Sequence, residues 1–329
     1  MKSIMELPEN PEVYSNSKTL ISLSFPFLGN DEPVERFSIK DGKFWYIGRK
    51  AFDDVLKIIK EFVFGDGYMK CFIYGTIGYG KSHILATIVW FLLRTGKRVV
   101  YLPDFHELAI DPVDYVKSAL YLAYENNNYK INKIYTCKTL NEIEKFCKEE
   151  SEPLYIVVGQ MNFLDSHNST EIIEFLNRIA RNHYYIKSSS ANNRSVLCLK
   201  FLKVKQTNEK RIELYGGFDK DEMSQWWIKN DSKSPLMNDK QKEKIEYITR
   251  RNPLFLSFFL GSKENSENAF NHLKQILINK VQVPMMNFSD LISKSQRWDL
   301  YILLFTLQSI YKLRLVAISN DYYILNYNL

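Results

Sequence analysis

Residues 75–82 match in full the spacing G-x-x-x-x-G-K-[ST], and this motif constrains the fold more than any other feature of the chain. The apolar run Cys71–Tyr74 before the motif is typical of a short buried strand. The apolar run Ile84–Leu93 after it is long enough for a buried helix. A strand, a glycine-rich loop and a helix in this order form a cradle for phosphate groups. The sequence therefore predicts a phosphate-binding loop (P-loop) at residues 75–82, rather than a plain strand-to-helix turn with an exposed lysine.

The residue types in the motif predict a nucleoside triphosphate and Mg²⁺ as its ligands. Gly75 and Gly80 let the loop curl with its N–H groups turned toward an anion, and the following helix adds the positive end of its dipole. Lys81 reaches the β- and γ-phosphates, and the Ser82 hydroxyl ligates Mg²⁺. His83 is the next residue, and its position fits either a structural residue or one that approaches the nucleotide. The residues predicted to contact the nucleotide here are Gly75, Thr76, Ile77, Gly78, Tyr79, Gly80, Lys81, Ser82 and His83.

Strand-like apolar runs alternate with helical periodicity over most of the chain, which indicates parallel β-α units. We therefore expect an α/β fold, a three-layer sandwich with a mostly parallel sheet, in a P-loop domain at residues 44–230. Prolines at positions 8, 11, 26 and 33 predict an irregular N-terminal extension over residues 1–43. The helical character from Ser234 onward predicts a mainly helical C-terminal lid domain at residues 231–329.

Composition narrows the class of protein only moderately. The net charge of +6 lies largely in mixed-sign stretches, so nucleic-acid binding is allowed but not strongly indicated. The four cysteines form no CxxC pair, which favours a reducing compartment without disulfides. The five histidines show no zinc-ligand spacing. No apolar run reaches the roughly 18 residues of a membrane span, so we expect no membrane partner.

A second element of P-loop chemistry, an acid that holds a water of the Mg²⁺ ion, is missing where it is expected. The strand predicted at Leu154–Val158 is followed by Gly159 and Gln160. Glycine offers no ligand, whereas Gln160 is a candidate to orient the attacking water. Asp104, near the end of the strand predicted at residues 99–104, is the best substitute metal ligand, although it also fits a loop or cap aspartate. The sequence thus predicts nucleotide binding more firmly than hydrolysis.

Several further stretches resemble the NTPase domain of Crinkler effectors, which are related to retrotransposon hot spot proteins. The resemblance covers residues 44–260 and is carried by residues 74–82, 97–104, 159–162, 188–193, 216–218 and 252–254. The family pattern after the third strand is an acid followed by glutamine, and this chain keeps Gln160 but has Gly159 in place of the acid. Members of the family often add a C-terminal nuclease-like domain and an N-terminal translocation header, and neither is evident in this sequence.

The resemblance implies further roles at the nucleotide. Asn192, or the asparagine after it, would sense the γ-phosphate. Arg49 is similar to the adenine-side motif of signal-transduction ATPases, and Pro253 with Arg250 and Arg251 resembles the lid that covers the nucleotide. Without the resemblance, the same positions are interpreted as a turn asparagine, a surface charge and two solvated arginines.

Three hypotheses of function follow. The first is a Crinkler-type switch gated by ATP, with weak or lost hydrolysis because Gly159 replaces the acid, and with a protein partner or nucleic acid as its target. The second is a working ATPase that uses a substitute carboxylate such as Asp104. The third is an effector module that binds DNA or protein and keeps a vestigial P-loop. If the chain is effector-like, the resemblance implies secretion followed by action in the nucleus or cytoplasm of a host.

Overall fold

The computed structural model describes most of the chain up to residue 260. The described residues are 4, 6–29, 37, 39–65, 67, 69–75, 77–161, 169–190, 208–260, 268, 271, 316–318 and 322–324. The chain divides into two compact units, the first formed by Met1–Tyr74 with Lys81–Glu213 and the second by Gly75–Gly80 with Leu214–Leu329. The later boundary between these units lies at Glu213. The domain boundary after residue 230 stays a prediction.

Helices and strands alternate along the chain, as the hydrophobic pattern predicts. Their order is α1 Glu12–Ser15, β1 Leu20–Ser24, β2 Lys43–Ile47, α2 Lys50–Lys60, β3 Lys70–Gly75, α3 Lys81–Arg94, β4 Val99–Leu102, α4 Phe105–Ile110, α5 Pro112–Ala123, α6 Asn128–Thr136, α7 Leu140–Lys148, β5 Tyr155–Val158, α8 Ser169–Ile179, β6 Tyr184–Ser190, β7 Glu209–Leu214, α9 Lys220–Asn230, α10 Asp239–Thr249, α11 Pro253–Leu260, β8 Val316–Ile318 and β9 Tyr322–Ile324.

The centre of the fold is a five-stranded sheet in the order β4-β5-β6-β3-β7. Strand β4 runs parallel to β5 with Leu102 opposite Val158, and β5 runs parallel to β6 with Val158 opposite Lys187. All four residues of β4 are buried, as expected for a parallel strand that helices cover on both faces. Helices α3 and α5 both contact β4. The prediction of an α/β fold with a mostly parallel sheet and flanking helices is confirmed.

Helix α3, which follows the glycine motif, is buried around nearly its whole circumference. From Ile84 to Leu92 every residue is buried, including Thr87, whose hydroxyl donates to the carbonyl oxygen of His83 at 2.8 Å. A helix that is apolar on all sides belongs in the interior of a domain. The residues at the start of this helix are therefore anchored by the core.

Part of the N-terminal segment is regular, where the sequence predicted an irregular extension over residues 1–43. Strand β1 pairs antiparallel with β2, from Leu20 opposite Ile47 to Ser24 opposite Lys43. Tyr14 of α1 is buried, and its ring stacks on Phe52 with 5.2 Å between the centroids. The paired residues are distant in sequence, so local propensity alone does not predict that they give this segment a regular structure.

Helix α6 lies in an asparagine-rich stretch of the chain. Asn127 begins this helix, because its side-chain oxygen accepts a hydrogen bond from the N–H of Lys130 at 3.0 Å. Asparagine favours both loops and helix N-caps, and here it acts as an N-cap.

Within the described residues, no helix is both long and apolar enough to span a membrane.

The second unit contains the loop Gly75–Gly80 and the helices after β7. Asp219 and Glu222 open α9, since their side chains form a reciprocal capping box. Trp226 and Trp227 are buried in this unit, and the ring of Trp227 lies 6.2 Å from that of Phe259, centroid to centroid. Both tryptophans are therefore core residues of this unit.

Candidate nucleotide-binding site

The glycines of the motif adopt backbone conformations that other residues avoid. Gly75, Gly78 and Gly80 have φ angles of +148°, +74° and +96°. Side chains disfavour such angles because the Cβ atom crowds the neighbouring peptide groups. Three such residues within one short loop suit the tight curl in which successive N–H groups turn to one side. Binding of an anion by these N–H groups stays a prediction.

Gly78 is also required by close packing against the chain around Asn252, within the second unit. A Cβ atom at Gly78 would lie 2.4 Å from Cβ of Leu254 and 2.5 Å from Oδ1 of Asn252. Asn252 is almost fully buried, and its Nδ2 donates to the carbonyl oxygen of Ile77 at 2.8 Å. The N–H of Leu254 donates to the carbonyl oxygen of Gly78 at 3.3 Å. The loop is therefore held by hydrogen bonds to its outward carbonyl groups.

Lys81 and Ser82 are the first two residues of α3, directly after Gly80 in the chain. The Lys81 side chain is not the exposed lysine of a plain turn, since the residue is only 7% exposed. The ring of His83 packs on Phe37 and Phe44, with centroid distances of 4.4 and 5.6 Å. His83 therefore has an aromatic packing role in the first unit, and contact with a nucleotide remains a prediction.

The residue after β5 has a packing reason to be glycine. The N–H of Gly159 donates to the carbonyl oxygen of Leu102 at 2.8 Å. A Cβ atom at Gly159 would lie 2.4 Å from the carbonyl oxygen of Pro103, a distance that side chains do not reach. Gln160 follows with a left-handed φ of +53°. The chain at the end of β5 thus leaves no space for an acidic side chain at Gly159.

Asp104 caps a helix. Its Oδ1 accepts a hydrogen bond from the N–H of His106 at 2.8 Å and so satisfies a free N–H group of α4. Its own N–H donates to the hydroxyl of Tyr115 at 3.0 Å. The parallel pairing of Leu102 with Val158 places Asp104 in the connection after β4, beside the one that starts at Gly159. The cap role that the sequence allowed is present, and the metal role stays a prediction.

Arg49 is buried, with 4% of its surface exposed, and it immediately precedes α2. Its N–H donates to the carbonyl oxygen of Tyr14 at 3.0 Å, which links α2 to the N-terminal segment. The interpretation of Arg49 as a surface charge is therefore wrong. A buried guanidinium is costly unless it is paired and hydrogen-bonded, as any buried charge is. The burial of Arg49 therefore fits a residue with a specific structural or binding role.

The two arginines after α10 are held by that helix. Nε of Arg251 lies 2.8 Å from Oε2 of Glu246, and the guanidinium of Arg250 lies 4.4 Å from the ring centroid of Tyr247. Both residues have left-handed φ angles, +52° at Arg250 and +56° at Arg251. Pro253 is the first residue of α11, a position that suits its fixed φ and missing N–H.

Two predicted site residues, Thr76 and Asn192, lie outside the described residues. Among the described residues, no group of three or more His, Cys, Asp or Glu side chains is arranged to hold a metal ion. Ser82 and Asp104 would offer oxygen ligands of the kind that Mg²⁺ prefers, and Gly159 offers none.

The contact of Asn252 with the loop is only partly visible in the sequence. The signal for part of it was present, because an asparagine before a proline is typical of a helix N-cap followed by the first helical residue. The other part was not visible, since Asn252 and Ile77 are 175 positions apart.

Comparison with known proteins supports the fold. The chain is similar to a Walker-type ATPase of Pyrococcus abyssi, with a TM-score of 0.53 and 13% identity over 83% of this chain and 92% of the other. It is also similar to domain III of the replication initiation protein DnaA from Thermotoga maritima, with a TM-score of 0.43 and 17% identity over 75% of this chain and 98% of the other. A third similar structure is AMPPCP-bound DnaA from Aquifex aeolicus, with a TM-score of 0.41 and 17% identity over 70% of this chain and 65% of the other.

A scan against protein-family models finds no match, and a search of curated proteins finds none either. Of the three structures named above, only the Pyrococcus ATPase has a TM-score above 0.5, and at 13% identity it shows the fold alone. The chain has the fold of P-loop ATPases.

Proposed function

We propose that this chain binds ATP through residues 75–82. The observation that carries the proposal is the backbone of the motif, in which three glycines adopt positive φ angles directly before Lys81 at the start of a buried helix. Such a loop presents N–H groups to an anion, and the helix adds its dipole. Lys81 contacts the β- and γ-phosphates, and Ser82 ligates Mg²⁺. The preference for ATP rests on the Crinkler resemblance.

We further propose that the protein acts as a nucleotide-gated switch with weak or lost hydrolysis. Support comes from Gly159, where a P-loop enzyme of this kind carries an acid and this chain has no space for a side chain. Loss of one contact to a Mg²⁺-bound water slows turnover but leaves the loop amides and Lys81 to bind phosphate. We assign Gln160 to orient a water, and Asn192 is assigned to the γ-phosphate by resemblance. On the same ground, Arg49 is assigned to the adenine side and Pro253 to the lid that covers the nucleotide.

The experiment measures ATP binding by calorimetry in Mg²⁺ for the wild type, Lys81→Ala and Lys97→Ala. Lys97 is an exposed lysine soon after the end of α3, so its removal controls for the loss of one positive charge. We expect ATP affinity to fall at least tenfold in Lys81→Ala, about the strength of one charge-assisted hydrogen bond, and to stay unchanged in Lys97→Ala. Equal affinity in all three proteins would contradict the proposal.

A second measurement separates the switch from a working enzyme. Phosphate release under multiple-turnover conditions should be slow, below roughly the 1 s⁻¹ that marks the low end of ordinary enzyme turnover. The second candidate function is an ATPase that uses Asp104, and it is favoured by the parallel pairing that brings the ends of β4 and β5 side by side. Rapid turnover that depends on Lys81 would favour this candidate.

The target of the switch is proposed as a protein partner. Nucleic acid is the other candidate, and the two differ in their response to salt. Binding to DNA would weaken steeply as salt increases, because neutralised phosphates release counterions. If DNA binding is steep in salt and indifferent to Lys81→Ala, the chain is instead a binding module with a vestigial P-loop.

A further inference from the structure

The turn between α10 and α11, at residues 250–252, contacts the phosphate-binding loop through one side chain. The amide of Asn252 uses both of its ends, because Nδ2 donates to the carbonyl oxygen of Ile77 at 2.8 Å while Oδ1 accepts from the N–H of Leu254 at 3.0 Å. The first bond holds the loop, and the second caps α11. Only 2% of Asn252 is exposed, so water does not compete for these bonds.

The geometry of the peptide group gives these bonds a consequence for anion binding. The C=O of Ile77 and the N–H of Gly78 belong to one planar peptide group and point in opposite directions. The same holds for the C=O of Gly78, which accepts from the N–H of Leu254 at 3.3 Å, and the N–H of Tyr79. Because both carbonyl groups point toward the turn, the N–H groups of Gly78 and Tyr79 point away from it. These are N–H groups that a P-loop presents to phosphate.

The turn itself is held in a strained conformation by its neighbours in the second unit. Arg250 and Arg251 both adopt left-handed angles, which are unfavourable for residues with side chains. The N–H of Arg251 donates to the carbonyl oxygen of Glu246, and its own carbonyl oxygen accepts from Phe218 at 2.8 Å. A Cβ atom at Gly217 would lie 2.2 Å from the carbonyl carbon of Arg251. Strain that is held by several contacts is typical of functional turns.

We propose that Asn252 is a positioning residue, which holds the loop in its phosphate-binding conformation and couples nucleotide occupancy to the turn between α10 and α11. The inference rests on the proposed function. Phosphate that binds the N–H groups of Gly78 and Tyr79 fixes the same peptide groups whose carbonyl oxygens bind Asn252 and Leu254. Binding at the loop therefore strengthens the contacts of the turn, and by thermodynamic linkage an intact turn strengthens binding at the loop.

The test compares Asn252→Ser with Asn238→Ser, which makes the same change at another helix cap of the second unit. Asn238 caps α10 through the N–H of Gln241 at 3.0 Å. Serine caps helices about as well as asparagine but is too short to reach the carbonyl oxygen of Ile77. ATP affinity, from calorimetry in Mg²⁺, should fall about five- to tenfold in Asn252→Ser and stay unchanged in Asn238→Ser.

A second measurement distinguishes positioning from a merely structural role. In the wild type, ATP should slow hydrogen exchange at the amides of Leu254, Phe255 and Leu256. In Asn252→Ser the same amides should gain little protection from ATP, even at concentrations that saturate the variant. An equal gain in protection in both proteins, or equal ATP affinity, overturns the inference.

The outcome also separates this inference from the proposed function. If the wild type does not bind ATP in a manner that depends on Lys81, the proposed function fails and the positioning role fails with it. If the wild type binds ATP through Lys81 and Asn252→Ser binds equally well, only the positioning role is wrong. Asn252→Asp gives a further variant that keeps the cap of α11 and places a carboxylate oxygen against the carbonyl of Ile77, so its ATP affinity should be lower still.

Discussion

A Cβ atom on Gly159 would lie 2.4 Å from the carbonyl oxygen of Pro103. The contact is with backbone, so a side chain at Gly159 requires one of the two strand ends to move, and no rotamer relieves it. The N–H of Gly159 also bonds the carbonyl oxygen of Leu102, which holds the two connections together. The glycine at position 159 is thus part of the packing between the ends of β4 and β5. An acidic side chain at this position requires one of these strand ends to shift.

Gly159→Ala should destabilise the protein by about 1–3 kcal/mol, the usual effect of forcing extra atoms into a packed site. Urea unfolding would measure the change. Gly96→Ala is the control, since a Cβ atom there meets nothing within 4 Å and its φ of +76° brings only backbone strain. If the free energy of unfolding of Gly159→Ala is no lower than that of Gly96→Ala, the backbone of Pro103 does not restrict the side chain at position 159. Gly159→Asp should unfold even more readily and gain no ATPase activity.

Asp104→Asn tests whether this carboxylate serves only as a helix cap. Asparagine caps a helix as well as aspartate, so the variant keeps the bond to His106 and loses the charge. We expect the free energy of unfolding to be unchanged, and ATP affinity and the rate of phosphate release to stay within about twofold of the wild type. Asp111→Asn is the matched control, because Asp111 caps α5 through the N–H of Asp114. A tenfold fall in phosphate release confined to Asp104→Asn would support the ATPase with a substitute carboxylate.

The elements of the fold could be predicted where they are specified by neighbouring residues. The strand, loop and helix around the motif, and the capping box at Asp219, each depend on a few consecutive positions. What could not be predicted depends on contacts between distant residues, such as Asn252 with Ile77 and Gly159 with Pro103. The sequence shows that Gly159 carries no acid, but only the neighbouring strand end shows why none fits.

Glu209→Gln should destabilise the protein through the lysine that it leaves behind. Oε2 of Glu209 lies 2.6 Å from Nζ of Lys187, and both side chains are at least 96% buried, being 1% and 4% exposed. Burial lowers the pKa of Lys187, and the charge of Glu209 opposes this. Removing one partner of a buried pair leaves an uncompensated charge and costs roughly 3–5 kcal/mol.

Urea unfolding of Glu209→Gln beside Glu61→Gln provides the measurement. Glu61 pairs with Lys210 at 3.2 Å on the surface, where an ion pair contributes at most about 1 kcal/mol. The double variant Lys187→Met with Glu209→Gln should recover most of the lost stability, because neither buried charge remains. Similar losses of unfolding free energy in Glu209→Gln and Glu61→Gln would show that the buried ion pair contributes no more to stability than the surface pair.

His183 should make the protein less stable as the pH falls below about 6.5. Its ring is buried, with Nδ1 accepting from the N–H of Leu154 at 3.2 Å, so that Nε2 donates to the carbonyl oxygen of Cys147 at 3.0 Å. These bonds require the neutral ring. Burial lowers the pKa of His183 below its ordinary value of 6.5. The unfolded chain therefore binds a proton before the folded one does, and stability that is complete above pH 6.5 is lost as the pH falls toward the folded pKa.

The free energy of unfolding, measured by urea at about pH 7.5 and about pH 5.5, should fall in the wild type and fall less in His183→Gln. The variant loses stability at both values, because glutamine does not reproduce both bonds of the ring, but it has no group to protonate at this position. Ring proton shifts of His183 in NMR, followed with pH, would give its pKa directly. A midpoint at or above 6.5 would contradict the neutral, buried ring that joins the end of α7 to the starts of β5 and β6.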